Sequence, residues 1–190
     1  MHTPSDDRLL DRFLPTFDLA VTQHYVAAVP ADAAFAALKN LDLMTVQSPL
    51  LATVWTLRGI GNLLSGRPDQ RPSARMNDPQ TAPPGWQILA DGDREIVYGG
   101  IGRTDRGEWR EVPIDEFAGF AASGWARIAV ALWVRPGTDG HSCLSAELRI
   151  SGGDEHLHRQ LSEDWWIFRV LAAHLLRAGL ATAARDAQQA

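Results

Sequence analysis

The closing stretch DEHLHRQLSEDWWIFRVLAAHLLRAGLATAARDA, residues 154–187, decides how the rest of the chain is interpreted. At about 100° per residue, most of its large apolar side chains fall on one face of a helix. That face carries Leu157, Leu161, Trp165, Phe168, Ala172, Leu175, Leu176 and Gly179. Asp154 follows two glycines and is a favourable N-cap residue. The pattern predicts one amphipathic helix, about 50 Å long if unbroken at about 1.5 Å per residue.

The segments before this helix are dominated by strand patterns. Apolar–polar alternation bounded by turn residues predicts strands over 17–29, 86–90, 95–102, 125–135 and 141–150, and weaker strands over 108–112 and 116–121. The two clearest strands place Ile128, Val130, Leu132 and Val134 opposite Leu144, Ala146, Leu148 and Ile150. We expect this face to be buried and the opposite face, which carries Arg127 and Glu147, to be mostly exposed to solvent.

Two short helices are predicted between the first strand and the later ones, over 31–38 and 49–64. The second begins at Ser48-Pro49, an N-cap residue followed by proline at the first helical position. Five prolines then mark residues 65–84 as a long loop. The element order indicates a single α+β domain over 17–187, preceded by a flexible arm, 1–16. Within that arm, Leu9, Leu10, Phe13 and Leu14 could form a short docking turn.

Composition excludes several classes of protein. The net charge is −5, and Lys39 is the only lysine among 18 basic residues, so a nucleic-acid-binding surface is not expected. No apolar segment is long enough to span a bilayer, and no signal peptide is evident. The single cysteine, Cys143, fits a reducing compartment, and we expect a soluble cytoplasmic protein.

Three segments resemble a known superfamily. VPADAAFAAL, residues 29–38, is similar to the opening motif of the START/SRPBCC proteins, which include pollen-allergen-type proteins, lipid-transfer START domains and polyketide aromatase/cyclases. Residues 117–127 and 144–150 are similar to segments of an uncharacterised bacterial branch. The resemblance implies the helix-grip fold, in which about seven curved antiparallel strands wrap around the C-terminal helix with an apolar cavity between them. It transfers no active site, because the superfamily shares no catalytic residue set.

No pattern in the chain predicts catalysis, a cofactor or a metal. The glycines at 99, 100 and 102 do not form a phosphate loop, and they fit a bent or bulged strand better. His156 and His158 would point about 160° apart on a helix, which is unsuitable for a shared metal. Cys143 and Ser123 lack the context of an activated nucleophile, and Asp115-Glu116 is interpreted as a solvated pair.

We therefore expect the protein to bind a hydrophobic or amphipathic small molecule, of lipid, polyketide or isoprenoid type, between sheet and helix. The loop over 65–84 and the helix over 49–64 would gate the cavity. The predicted lining residues are Trp55, Tyr98, Phe120, Trp165 and Phe168, with Arg169 as an anchor unless it extends to solvent along the edge of the helix. Arg127 and Glu147 would form a surface ion pair, or anchor a ligand if their face is concave.

Two alternatives remain at this point. The same cavity could belong to an aromatase/cyclase-type enzyme that uses a tyrosine, histidine or arginine for acid–base chemistry. A closed core would instead favour an interaction module similar to chaperone activators. Trp166, Ile167 and Val170 lie on the helix face expected to be exposed, and could form a homodimer or partner surface or be covered by the proline-rich loop.

Overall fold

The computed structural model describes residues 8–46, 74–78, 80–103, 107–163 and 165–190. The side chains at 160–162 and 167 also lie outside the description. The helix predicted over 49–64, Trp55 within it, and residues 65–73 and 79 of the predicted loop are therefore outside the described residues.

The described residues form six strands and five helices. The strands are β1 (Leu19–Ala27), β2 (Trp86–Asp91), β3 (Glu95–Arg103), β4 (Glu108–Arg110), β5 (Ala126–Pro136) and β6 (Ser142–Gly152). The helices are α1 (Leu9–Phe13), α2 (Ala31–Lys39), α3 (Ile114–Phe117), α4 (Glu155–Glu163) and α5 (Trp165–Gln189). The fold class is the predicted one: a curved antiparallel sheet with short helices and a long C-terminal helix, in a helix-grip arrangement.

The strands form one antiparallel sheet in the order β1-β6-β5-β3-β2, and β4 also pairs with β3. The β2–β3 hairpin and all five stronger strand predictions are confirmed, with every strand end within two residues of its predicted position. The strand predicted over 116–121 is wrong. Residues 114–117 form a short helix instead, because Pro113 precedes it and two carboxylates occupy its first turn.

The predicted buried face of the β5–β6 pair is confirmed. The two strands are antiparallel and pair with Ile128 opposite Ile150 and Val134 opposite Leu144, so the two predicted apolar sets share one face. Side chains from this face join a core cluster with α2 and α5 that includes Leu38, Ile96, Tyr98, Val134, Leu144, Ala146, Leu180 and Ala183. The long helix thus packs on this face of the sheet.

The opposite face of the sheet was expected to be mostly exposed to solvent. It is instead buried. Helix α1 and the segment around α3 cover it with Leu10, Leu14, Val112 and Phe117, which pack on Val97, Ile101, Ala129, Ala131 and Trp133. The docking turn considered for residues 9–14 is α1, and its Leu10 and Leu14 are fully buried. The domain boundary at residue 17 stays a prediction, but α1 packs against the sheet.

A network of charges fixes α1 to this second face. Glu147 is only 6% exposed and accepts hydrogen bonds from Arg8 and Arg149, the latter at 2.6 Å between Nε and Oε1. Arg149 also donates to Asp11 Oδ1 at 2.6 Å and to the Leu14 carbonyl at 2.9 Å. Burial by itself would raise the pKa of Glu147, but the two arginines outweigh it and hold that pKa below its ordinary value.

The surface ion pair predicted between Arg127 and Glu147 is wrong. Both residues lie on the face opposite α5, but Glu147 is opposite Ala131 in the sheet and Arg127 is opposite Ser151. Arg127 instead donates to the Ser151 hydroxyl at 3.0 Å and to the Ala118 carbonyl. Arg127 therefore links the segment after α3 to the sheet.

The predicted N-cap of the C-terminal helix is confirmed. The Leu157 amide donates to Asp154 Oδ1 at 2.8 Å. The second carboxylate oxygen accepts from the Ser123 hydroxyl at 2.6 Å and the Gly124 amide at 2.7 Å. These hydrogen bonds lower the pKa of Asp154 to about 2. The predicted single helix corresponds to α4 and α5, with position 164 between them outside the described residues.

Replacing Glu147 with glutamine should lower the free energy of unfolding by about 3 kcal/mol, because it removes the buried carboxylate that Arg8 and Arg149 share and leaves Arg149 with Asp11 as its remaining counter-charge. Chemical denaturation at neutral pH measures this, with the exposed Glu116→Gln as the matched control.

The lowered pKa of Glu147 also makes its contribution to folding stability depend on pH. Its pKa is lower in the folded protein than in the unfolded chain, so its stabilising contribution is present above the unfolded pKa and is lost as the pH falls through the folded one. The stability difference between the native protein and Glu147→Gln should therefore shrink in acid. A difference that is constant or grows in acid would contradict the network.

Candidate ligand-binding cavity

A cavity of about 310 Å³ lies between the sheet and α5. Small-molecule sites have volumes of about 300–1,000 Å³, so this one is at the lower end of the range. The sheet contributes Trp86, Tyr98, Val130, Leu132 and Ala146, and α5 contributes Leu175, Leu176, Gly179 and Leu180. The end of α2 and the segments that follow it contribute Leu38, Lys39, Leu41, Leu43, Val46, Met76 and Pro83.

Strand alternation and small side chains create this space. Tyr98, Leu132 and Ala146 lie on three neighbouring strands and point to the same side, because successive residues of a strand alternate between faces. Ala146 and Gly179 are small where the surrounding lining is mostly leucine, valine and aromatic. A Cβ atom at Gly179 would lie 3.4 Å from the Leu41 side chain, in van der Waals contact, and would take up space at the cavity wall.

Tyr98 is the buried polar side chain of the cavity. The residue is 1% exposed, and its hydroxyl has no hydrogen-bond partner within the described part of the chain. Burial, and then the negative charge of Asp91, raise the pKa of Tyr98 far above its ordinary value. The hydroxyl therefore keeps its proton.

Lys39, at the end of α2, is the charged side chain of the described lining. Its Nζ donates to both carboxylate oxygens of Asp91, at 2.8 and 2.6 Å. The pair is partly exposed, and it links α2 to the β2–β3 hairpin. The positive charge of Lys39 is thus balanced by Asp91 at the edge of the cavity.

The glycines of β3 make room for two indole rings beside the cavity. A Cβ atom at Gly100 would lie 3.0 Å from Trp109 and 3.2 Å from Trp86, and the two rings contact each other with centroids 5.4 Å apart. Gly102 is similarly close to Trp109. A larger residue at either position would displace the wall formed by Trp86.

The predicted lining residues occupy different places. Tyr98 lines the cavity, whereas Phe120 packs on the opposite face of the sheet and is left out of the site proposed below. Trp165 is partly buried beside the cluster around Leu148 and contacts Phe168, with ring centroids 5.8 Å apart. Phe168 is 42% exposed. Arg169 is also exposed, so neither it nor Phe168 belongs to the described lining.

Most of the lining was missed in the sequence, although a signal was present. Leu132 and Ala146 were predicted to be buried, and Leu175 and Leu176 were placed on the inner stripe of the helix. The apolar pattern does not reveal that the space between these side chains is empty.

In the described residues, no three His, Cys, Asp or Glu side chains come together as a metal site.

Comparisons with known proteins find similarity only among solved structures. No protein-family profile and no curated protein matches the chain. A hypothetical protein from Helicobacter pylori is similar at 11% identity over 98% of this chain and 99% of that one, with a TM-score of 0.48. A protein from Nitrosomonas europaea has 15% identity over 90% and 96%, with a TM-score of 0.42. The Zhui aromatase/cyclase from a Streptomyces species has 13% identity over 90% and 94%, with a TM-score of 0.35.

Among the described helices, none combines the length and apolar character needed to cross a lipid bilayer.

Replacing Tyr98 with phenylalanine should raise the free energy of unfolding of the ligand-free protein by about 1 kcal/mol, because it removes a buried hydroxyl without a partner. Tyr25, the other tyrosine, is only partly buried against the same core, and Tyr25→Phe is the matched control. Denaturant unfolding of both variants measures the difference. Destabilisation by Tyr98→Phe would show that the hydroxyl has a partner in the folded protein.

Proposed function

We propose that this protein binds a hydrophobic or amphipathic small molecule in the cavity between the sheet and α5. The observation that carries the proposal is a cavity of about 310 Å³ lined almost wholly by apolar side chains. Removing apolar ligand surface from water contributes about 25 cal/mol per Å², so such a lining favours an apolar occupant. Encapsulation without chemistry is the mechanism.

The two titratable groups of the described lining support binding rather than catalysis. General acid–base catalysts work best with a pKa near the operating pH. The pKa of Tyr98 is raised well away from neutrality, and Lys39 is held by Asp91. The aromatase/cyclase-type alternative would need a proton-transfer group that neither residue supplies in this arrangement.

The helix-grip arrangement and the similarity of residues 29–38 support assignment to the START/SRPBCC superfamily. The similarity of residues 117–127 and 144–150 supports its uncharacterised bacterial branch. Lipid, polyketide and isoprenoid molecules all suit the lining described above. A cytoplasmic location, favoured by the single cysteine, belongs to the same proposal.

Filling the cavity should abolish binding. An uncharged dye such as N-phenylnaphthylamine should gain fluorescence with the native protein and should not do so with Leu176→Trp, whose larger side chain occupies the space. The same residue introduced at Asp186, which is exposed on the same helix, is the matched control and should leave dye uptake unchanged. Circular dichroism establishes that both variants fold. Equal uptake by native protein and Leu176→Trp would place the dye elsewhere.

A second candidate function is self-association through the outer face of α5. Trp166 is 70% exposed and Val170 lies one turn further along the helix, 65% exposed. Exposed apolar patches of this kind are typical of interaction surfaces. Ile167, the third residue predicted for the homodimer surface, has its side chain outside the description.

Sedimentation velocity tests this second candidate. The native protein should form dimers as its concentration rises, and Trp166→Arg should remain monomeric because a charge would be buried in the interface. Ile114→Arg, at another exposed apolar position, is the control. A native protein that is monomeric at all concentrations would exclude the homodimer.

A further inference from the structure

We infer that the cavity encloses a single apolar tail of about a dozen carbon atoms, and that Ala146 and Gly179 set this limit. The inference rests on the proposed function and specifies the size class of the ligand in the same cavity. A molecule with one alkyl, isoprenoid or aromatic tail fits this description, whereas a lipid with four fused rings or two chains does not fit within the cavity.

The volume of the cavity determines the size of the enclosed tail. A dry cavity of about 150 Å³ lined by leucine, isoleucine and phenylalanine holds one benzene ring. The cavity between the sheet and α5 has about twice that volume, about 310 Å³, and a similarly apolar lining. At the same packing it encloses about a dozen carbon atoms, and the remainder of a longer molecule stays outside.

Two small residues leave this volume free. Ala146 lines the cavity from β6 and lies opposite Leu132 in the sheet. Gly179 lines it from α5, and a Cβ atom there would make only ordinary contact with Leu41. A larger side chain at either position therefore takes its space from the cavity and not from a packed core.

The lining divides by exposure into a buried part and a partly exposed part. Tyr98, Ala146 and Leu180 are buried, whereas Trp86 and Leu176 are partly exposed. A ligand therefore enters past the second group, and its tail comes to rest against the first.

Lys39 marks the polar side of the entrance. Its side chain and that of its counter-ion Asp91 are 31% and 42% exposed. Two N–H groups of the ammonium bind Asp91, and the third is free to donate to a polar group of a ligand or to water. The buried residues of the described lining carry no charge, so we expect an amphipathic ligand to enter with its tail first.

Primary alcohols from hexanol to tetradecanol measure the size limit, through displacement of N-phenylnaphthylamine at neutral pH. The affinity should rise about fourfold for each added methylene until the tail fills the cavity, and should then level off at roughly twelve carbons. An affinity that keeps rising at the same rate up to tetradecanol would overturn the size limit.

Ala146→Leu tests the residue that sets the limit. It adds about three carbons to the lining, so the affinity should level off at a tail roughly three carbons shorter. Ala36→Leu, the same substitution at an exposed position of α2, is the matched control and should leave the limit unchanged. An identical limit in Ala146→Leu and the native protein would show that Ala146 does not set it.

Gly179→Ala provides a second measurement if Ala146→Leu does not fold. It adds a single methyl group, so the limit should shorten by about one carbon. Gly119→Ala is its control, because a Cβ atom at that position would meet no atom within 4 Å. An unchanged limit in Gly179→Ala would contradict the role assigned to this glycine.

An isomer of decanol with its hydroxyl in the middle of the chain tests the direction of entry. It should bind at least roughly tenfold more weakly than primary decanol, because its hydroxyl would lie among apolar side chains without a partner. Equal affinities of the two isomers would overturn entry with the tail first.

The outcomes distinguish this inference from the proposed function. A dye that binds the native protein but is displaced by none of the alcohols overturns the inference and leaves the proposed function standing. Failure of the dye itself to bind overturns both.

Discussion

The pairing of β5 with β6 is the constraint on which the rest of the structure depends. The two strands pair over their whole length, from Ala126 opposite Gly152 to Pro136 opposite Ser142. Because side chains alternate along a strand, this register assigns every residue of both strands to one face of the sheet. A shift by one residue would bring Glu147 and Arg149 to the helix and carry the apolar set away from it. The position of the cavity follows from this register.

The two faces of the sheet differ in how they are covered. On the face away from α5, Glu147 and Arg149 are buried and partnered, and the ion pairs with Arg8 and Asp11 hold α1 over the sheet. On the face toward α5, small residues at Ala146 and Gly179 leave space, and the Tyr98 hydroxyl has no partner in the described residues. The first face stabilises the fold, whereas the second leaves an apolar cavity between the sheet and the helix.

The sequence was sufficient for the parts of the fold that depend on local pattern. Alternation placed Val130, Leu132, Ala146 and Leu148 on one inward face of an antiparallel pair, and Asp154 was identified as a helix cap; the structure confirms these assignments. The covered second face was not predictable in the same way. Alternating polar residues look alike on a solvated strand face and on a face covered by a segment distant in the chain, here α1.

For the C-terminal helix, the sequence predicted which face points inward but not how much of that face is covered. Helical periodicity indicated which side of the C-terminal helix faces inward, and Leu157, Ala172 and Leu176 do pack inward. It could not show how far along the helix the packing partners extend, so Phe168 was placed inside although it is 42% exposed. Phe120 was assigned through a predicted strand over 116–121 that the structure replaces with α3 and the residues after it.

Native mass spectrometry of the protein purified from cells tests most directly whether the cavity holds a small molecule. The account predicts a bound mass in addition to the polypeptide, which solvent extraction removes and which is recovered as a hydrophobic or amphipathic compound. A protein that carries no additional mass, and acquires none when incubated with an apolar cell extract, would contradict the account.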